Sequence, residues 1–205
     1  MLIGILALQG AYAKHAEKVR DLGHQTLFVK TSSDLDACSH LIIPGGESTT
    51  LLRLLGRDPV LYGALQHYVQ SQPVWGSCAG LILLATSVIS PSQTSLGVID
   101  ITVERNGYGR QLDSFFADDI EVVDESLQNI AGTRASGCFI RAPRIIRCGD
   151  GVTVAMRWRG EVVAAYAQNV CVTTFHPELT ESGYFHDWFI RTWSTRDSPS
   201  PTIFR

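Results

Sequence analysis

The amino-acid sequence predicts one α/β domain with a mostly parallel central sheet. Short apolar runs alternate with helical stretches in the first half of the chain, and strand-like runs dominate the second half. A chain of 205 residues, 45% of them hydrophobic, is long enough to bury a substantial core and fits one domain better than two. We expect residues 1–193 to form that domain and residues 194–205, which are rich in Ser, Thr and Pro, to form a flexible tail.

In the first half, the apolar runs predict buried strands and the segments between them predict helices. Gly23 closes the first helix, and a Pro44-Gly45-Gly46 turn follows the third strand. The expected strands are residues 2–8, 26–29, 40–43 and 73–75, and the expected helices are residues 11–21, 48–55, 59–71 and a further helix beginning near Ala79.

The second half predicts mainly strands. Arg159-Gly160 is a typical hairpin turn, and Ser182 is a suitable N-cap for a final helix over residues 183–193. The expected strands are residues 99–104, 139–141, 152–158, 162–167 and 170–175.

Charge and cysteine content narrow the partners and the compartment. The formal net charge is -3 without a run of Lys or Arg, which argues against a nucleic-acid or anionic-membrane partner. The apolar start, residues 1–8, is too short for a membrane span and has no basic leader. The five cysteines are scattered and form no C-x-x-C pair, so we expect neither a disulfide framework nor a zinc site, and a reducing cytoplasm is the simplest compartment. We also expect no metal and no cofactor.

The segment Gly76-Ser77-Cys78-Ala79-Gly80 lies between a predicted strand and a predicted helix, which is the pattern of a nucleophile elbow with cysteine as the nucleophile. The glycines permit a sharp turn, and the N-terminus of the helix favours a thiolate. The other four cysteines are interpreted as small core residues.

His176 is the best candidate for the base that such a nucleophile needs, because a strand delivers it and Pro177 holds it extended. In an extended segment Glu178 projects to the same side, so it can orient the imidazole. Cys78, His176 and Glu178 therefore form a candidate catalytic triad. Four other histidines are interpreted as structural or solvent-facing: His24, His40, His67 and His186.

The glycine-rich loop at residues 44–50 also follows a strand and opens a helix, but it lacks the Lys of a phosphate-binding loop. Its backbone N–H groups suit a developing oxyanion. We expect the N–H groups of Gly46 and Ala79 to form that oxyanion hole. The alternative interpretation is an ordinary glycine-rich turn.

These motifs resemble class I glutamine amidotransferase domains, and more narrowly the glutaminase subunits of pyridoxal 5'-phosphate synthase. The resemblance covers nearly the whole chain. The elbow and His176-Pro177-Glu178 are common to the superfamily. The narrower branch is indicated by Leu8-Gln9-Gly10, by Gly46-Glu47-Ser48-Thr49-Thr50, by the segment from Arg105 to Phe115 and by Phe139-Ile140-Arg141-Ala142-Pro143.

The resemblance implies a three-layer, flavodoxin-like fold with a mostly parallel sheet and added antiparallel strands. It also implies a glutaminase that hydrolyses L-glutamine and passes ammonia to a (β/α)8-barrel synthase subunit in a hetero-oligomeric complex, with weak activity when alone. The residues that it implies for contact with glutamine are Gly46, Glu47, Ser48, Arg105, Ile140 and Arg141.

Several alternatives remain open at this point. The chain is alternatively a glutaminase subunit of another pathway, such as imidazole glycerol phosphate synthesis, or a cysteine hydrolase of similar fold that does not use glutamine. For Arg110 and Arg144, structural ion pairs are as plausible as functional roles. The chain departs from the family pattern at Ser77, where Thr is expected, and at Lys14, where an acidic residue is more familiar.

Overall fold

A computed structural model describes residues 1–108 and 114–194. The strands are β1 (Leu2–Leu6), β2 (Gln25–Val29), β3 (His40–Ile43), β4 (Val74–Ser77), β5 (Ala85–Ile89), β6 (Ile99–Glu104), β7 (Ser114–Val122), β8 (Arg134–Ile140), β9 (Arg144–Cys148), β10 (Thr153–Trp158), β11 (Glu161–Ala167) and β12 (Val170–Thr173). The α-helices are α1 (Tyr12–Asp21), α2 (Ser32–Asp36), α3 (Ser48–Arg57), α4 (Pro59–Tyr68), α5 (Ala79–Leu84), α6 (Glu125–Ala131) and α7 (Tyr184–Ser194), and a 3-10 turn spans Pro177–Leu179.

A nine-stranded sheet forms the middle of the domain, in the order β2-β1-β3-β4-β12-β11-β10-β7-β8. The first five strands are parallel, and the remaining four extend the sheet in antiparallel pairs. A separate sheet has the order β5-β6-β9. The predicted α/β class, with a parallel sheet and added antiparallel strands, is confirmed.

Two apolar cores cover the two faces of the central sheet. Along β1, Ile3 and Ile5 belong to the core that includes α1 and α7, whereas Leu6 belongs to the core that includes α3, α4 and α5. Because both faces of β1 are covered by helices, its sequence is continuously apolar instead of alternating. The result is the expected three-layer arrangement.

The hairpin turn and the helix cap that the sequence predicts are both present. Arg159 and Gly160 have φ values of 50° and 82° and close the hairpin between β10 and β11, where Trp158 pairs with Glu161. The Ser182 hydroxyl accepts a hydrogen bond from the backbone N–H of Tyr184 at 3.2 Å, as expected for the cap of the last helix.

Five elements were not predicted: α2, β5, α6, β7 and β9. Strand β7 is irregular between Ala117 and Ile120, which interrupts the alternation that normally identifies a strand. Helix α2 is only five residues long, and its Thr31 and Asp34 form a capping box. Strand β5 follows α5 without an intervening turn signal.

Several predicted boundaries also differ. The strand predicted at 170–175 ends at Thr173, the helix predicted at 59–71 ends at Tyr68, and the short strand predicted at 139–141 is the end of the longer β8. Ser194 is the last residue of α7, while the rest of the predicted tail, residues 195–205, lies outside the described residues. None of the described helices has the length and apolarity of a membrane span.

Candidate active site

Cys78 lies on a sharp turn between β4 and α5. Its φ of 47° and ψ of −99° place it in a conformation that side-chain-bearing residues rarely adopt, at a strain of about 1–3 kcal/mol. The flanking glycines make the turn possible, because a Cβ on Gly80 would overlap the carbonyl oxygen of Ile43 and a Cβ on Gly76 would overlap the backbone of Gly80. Cys78 is 5% exposed, so the turn holds this residue at the edge of the core.

His176 and Glu178 lie just beyond the end of β12. Nδ1 of His176 is 2.7 Å from Oε1 of Glu178, and the residues are 6% and 2% exposed. The backbone N–H of His176 donates to the carbonyl of Cys138 at 2.8 Å, which fixes the position of His176 relative to β8. The expectation of an extended segment is wrong beyond His176, because Pro177–Leu179 form a 3-10 turn, and this turn brings the carboxylate to the imidazole.

The electrostatics couple the three side chains. Burial lowers the pKa of His176, but its hydrogen bonds to Cys78 and Glu178 and the charge of Glu178 outweigh burial and raise the pKa to about 10. Burial raises the pKa of Glu178, yet the neighbouring His15 and His176 hold it below its usual value. The carboxylate is therefore ionised at neutral pH and stabilises a protonated imidazole.

The glycine-rich loop packs directly on the side chains of Cys78 and His176. A Cβ on Gly45 would overlap the His176 ring and lie 3.1 Å from Cβ of Cys78. The Gly45 N–H donates to the Ser77 hydroxyl at 2.9 Å, and its carbonyl accepts from the N–H of Ala11 at 3.1 Å. The hydroxyl that Ser77 keeps in place of Thr therefore connects the loop to the end of β4.

The segment before α1 also holds this loop. Gly10 has a φ of 84°, and a Cβ there would overlap the Gly45 carbonyl oxygen. The Gln9 side-chain oxygen accepts from the N–H of Glu47 at 2.9 Å. Since the C=O and N–H of a trans peptide point in opposite directions, the bond from Ala11 to the Gly45 carbonyl directs the N–H of Gly46 away from α1.

A cavity of about 330 Å³ opens in front of Cys78 and His176, a volume suited to a small molecule. Ala79 is fully buried at the start of α5 and does not line it. All six residues predicted to contact the substrate do line it: Gly46, Glu47, Ser48, Arg105, Ile140 and Arg141.

Charged groups of opposite sign meet at one side of the cavity. Nη2 of Arg105 lies 3.2 Å from the Thr49 hydroxyl and 3.7 Å from Oε1 of Glu47. The other oxygen of Glu47 accepts from the N–H of Thr50 at 2.7 Å and caps α3. Partial burial raises the pKa of Glu47, but hydrogen bonds from the backbone and side chains of Thr50 and Thr49 outweigh burial and lower it. Both charges are thus held in place without a substrate.

The end of β8 also lines the cavity. The Ile140 carbonyl lies 4.0 Å from the Cys78 sulfur, and Ile140 is 37% exposed. Arg141 has a φ of 45°, and Asn106, which also lines the cavity, has a φ of 54°. Strained backbone of this kind is concentrated at functional sites.

Sequence reasoning missed His15, which is fully buried beneath this site. Its Nε2 lies 3.4 Å from Oε2 of Glu178 and 3.3 Å from the Ser77 hydroxyl. The available signal was helical spacing, because His15 shares the buried face of α1 with Ala16 and Val19. Lys14, which drew attention in the sequence, forms an exposed pair with Glu17 at 2.7 Å instead.

The sequence left the roles of Arg144 and Arg110 open, and the structure describes only Arg144. Arg144 pairs with Glu161, with Nε 3.1 Å from Oε2, and its guanidinium lies 5.9 Å from the ring centre of Tyr108. This is a structural ion pair. Arg110, with the rest of residues 109–113, lies outside the described residues.

Comparison with known proteins supports the glutamine amidotransferase family that the sequence motifs resemble. The model of the SNO glutamine amidotransferase family matches residues 5–195. The proteins named "Pyridoxal 5'-phosphate synthase subunit PdxT" of Francisella tularensis and Kosmotoga olearia are 40% and 42% identical to the chain over 188 and 193 residues. These alignments cover 92% and 93% of this chain and 97% of each relative.

Two solved structures are also similar to this chain. One titled "Crystal structure of glutamine amidotransferase" is 37% identical, with a TM-score of 0.84 over 94% of this chain and 98% of that one. The structure of PurLQS from Thermotoga maritima, 15% identical with a TM-score of 0.67 over 93% of this chain and 97% of that one, shares the fold. With a family model and relatives that span nearly its whole length, the chain belongs to the SNO glutamine amidotransferase family.

Proposed function

We propose that this chain is the glutaminase subunit of a pyridoxal 5'-phosphate synthase, which hydrolyses L-glutamine to L-glutamate and ammonia. The observation that carries the proposal is the meeting of Cys78, His176 and Glu178 at a cavity lined by all the residues expected to hold glutamine. The family match and the names of the relatives support the same activity.

In the proposed mechanism, the Cys78 sulfur attacks the side-chain amide carbon of glutamine while His176 holds the thiol proton. The C–N bond breaks, His176 gives the proton to the departing nitrogen, and ammonia leaves a glutamyl thioester. His176 then takes a proton from water, hydroxide attacks the thioester, and glutamate and the Cys78 thiol are released. General acid–base help of this kind contributes roughly 10² to 10⁴ in rate. Glu178 orients the imidazole and stabilises its charged form.

The oxyanion of each tetrahedral intermediate is proposed to be held by the backbone N–H groups of Gly46 and Ala79. Losing one donor of this kind typically costs about 3 kcal/mol of transition-state stabilisation. The anchoring of the Gly45 carbonyl by Ala11 supports the assignment of Gly46, because it sets the orientation of the Gly45–Gly46 peptide.

For substrate recognition, we assign the carboxylate of glutamine to an arginine and its ammonium group to Glu47. Arg105 and Arg141 both line the cavity, and a guanidinium matches the geometry of a carboxylate. Ser48 and the Ile140 backbone complete the set. Oε1 of Glu47, which faces Arg105 rather than the cap, is the oxygen available to an ammonium group.

Ammonia is largely protonated at neutral pH, so a useful glutaminase passes it directly to an acceptor. The acceptor proposed here is the (β/α)8-barrel synthase subunit, in a hetero-oligomeric complex with a shielded channel. We further propose a cytoplasmic location, since the five cysteines are free thiols and such thiols suit a reducing compartment.

The test is a glutamate-release assay with and without the synthase subunit, comparing the native chain with Cys78→Ala. We expect release that rises when the synthase is present and disappears in the variant. If the native chain releases no glutamate even in the complex, the glutaminase proposal is wrong. If release occurs but does not respond to the synthase, the assignment to pyridoxal phosphate synthesis is wrong.

A further inference from the structure

Two buried histidines lie behind the proposed catalytic residues, and the mechanism above does not use them. His15 on α1 and His186 on α7 are both 0% exposed. His15 Nδ1 lies 3.0 Å from Nε2 of His186, and His15 Nε2 lies 3.4 Å from Oε2 of Glu178. We propose that His186 and His15 form a directed hydrogen-bonded pair that positions Glu178 and, through it, His176. This inference rests on the proposed glutaminase function.

The second carboxylate oxygen of Glu178 lacks a hydrogen-bond donor among the described residues. Oε1 accepts from His176, whereas Oε2 is buried and makes no hydrogen bond to any of the described residues. A buried carboxylate oxygen without a donor is strongly destabilising. Nε2 of His15, 3.4 Å from Oε2, is the ring nitrogen placed to donate an N–H to that oxygen.

This requirement selects one tautomer for each ring. If Nε2 of His15 were unprotonated, its lone pair would face the carboxylate, and Oε2 would have no donor. With the proton on Nε2, Nδ1 of His15 is an acceptor, so His186 must donate from its own Nε2. Nδ1 of His186 is then the bare nitrogen, which agrees with its lack of a partner among the described residues.

The surroundings keep both rings neutral and oriented. Burial lowers the pKa of both histidines; for His15, Glu178 opposes this shift and His176 adds to it, while His15 and Lys18 add to it for His186. The Trp75 ring packs edge-on against both imidazoles, with ring centres 5.0 and 4.8 Å apart. A neutral imidazole carries one N–H. In this pair His186 therefore donates to His15, and His15 donates to Glu178.

The bond from His15 also reaches the nucleophile strand. Its Nε2 lies 3.3 Å from the Ser77 hydroxyl, the same hydroxyl that accepts from Gly45. One N–H group is thus shared between the carboxylate that orients the base and the residue that precedes Cys78. The pair therefore fixes the relative position of base and nucleophile.

The direct test is long-range ¹H–¹⁵N correlation NMR on the histidine-labelled full chain. We expect both His15 and His186 to be neutral near pH 7, with the proton on Nε2 in each ring. A proton on Nδ1 of His15, or on both of its nitrogens, would overturn the inference. This measurement does not depend on any catalytic activity.

Substitutions test the positioning role. In His15→Gln the amide nitrogen coincides with the lost Nε2, so the donor to Glu178 is kept, whereas in His15→Asn the amide reaches only toward His186. We expect kcat for glutamate release in the complex to fall about tenfold to a hundredfold in His15→Asn, and about threefold or less in His15→Gln. Without the donor, the pKa of Glu178 rises, so the acid limb of the pH profile should move up by about one unit in His15→Asn alone.

His40→Gln is the matched control, because His40 is another buried histidine, 3% exposed, that packs on Phe189 and does not line the cavity. It should leave the acid limb in place. If His15→Asn and His15→Gln lose activity equally, or neither moves the limb, the positioning role is wrong. If the native complex releases no glutamate, the proposed function fails, and the NMR result still decides the tautomers.

Discussion

Oε1 of Glu178 lies 2.7 Å from Nδ1 of His176, although the two residues are separated by only Pro177 and both are buried. The 3-10 turn that begins at Pro177 creates this contact, and the same imidazole hydrogen-bonds Cys78. The hydrogen bonds to Cys78 and Glu178 and the charge of Glu178 outweigh burial and account for the raised pKa of His176.

Removing the nucleophile should abolish the activity without unfolding the protein. Cys78→Ala removes the attacking sulfur, so we expect kcat for glutamate release to fall by about 10⁴ to 10⁶, as for other catalytic triads. Cys148→Ala is the control, because Cys148 lies on β9 and does not line the cavity. Residual release above 1% in Cys78→Ala would contradict the assignment of the nucleophile.

Adding a methyl group to the loop should displace the base. In Gly45→Ala the new Cβ overlaps the His176 ring, so we expect kcat to fall about 10²-fold, the cost of a misplacement of about 1 Å. Gly56→Ala is the matched control, because nothing lies within 4 Å of its Cβ position on α3. That variant should keep its activity and gain about 0.5–1 kcal/mol of stability. Equal activity in the two variants would contradict the packing described here.

The free energy of unfolding should decrease as the pH rises from about 6.5 toward 10. In that range native His176, with a pKa of about 10, keeps a proton that the unfolded chain has released, so alkali favours unfolding. Glu178→Gln removes the charge that helps to raise this pKa, so its stability should decrease less over the same range. Urea titrations of both proteins at pH 6, 8 and 9.5 measure the difference. Parallel pH dependences would contradict the coupling.

Arg105 should affect binding more than turnover. A lysine lacks the planar fork that binds a carboxylate, so Arg105→Lys should raise KM for glutamine about tenfold with a smaller change in kcat. Arg147→Lys is the control. Arg147 lies on an exposed part of β9, and its Nη1 is 2.8 Å from Oδ1 of Asp100. An unchanged KM in Arg105→Lys would assign the substrate carboxylate to another residue.

Local sequence signals predicted the parts of the fold that depend on local chemistry. Apolar runs predicted β1 and β3, and the positive φ at Gly160 and the hydroxyl of Ser182 are properties of single turns. By contrast, β9 pairs with β6, from which β7 and β8 separate it in the sequence. The pairing of β7 with β8 depends on contacts across the sheet that local patterning does not encode.

The sequence by itself determined the elbow around Cys78 and the nearby pairing of His176 with Glu178, because both are set by a few consecutive residues. Only the tertiary structure decided which groups stand behind them. His15 and His186 are 171 positions apart, and their contact exists because α1 and α7 pack on the same face of the sheet. Gly45 likewise meets the His176 ring only because β3, β4 and β12 end at one edge. Residues far apart in the chain come into contact through burial, and burial is a property of the folded molecule.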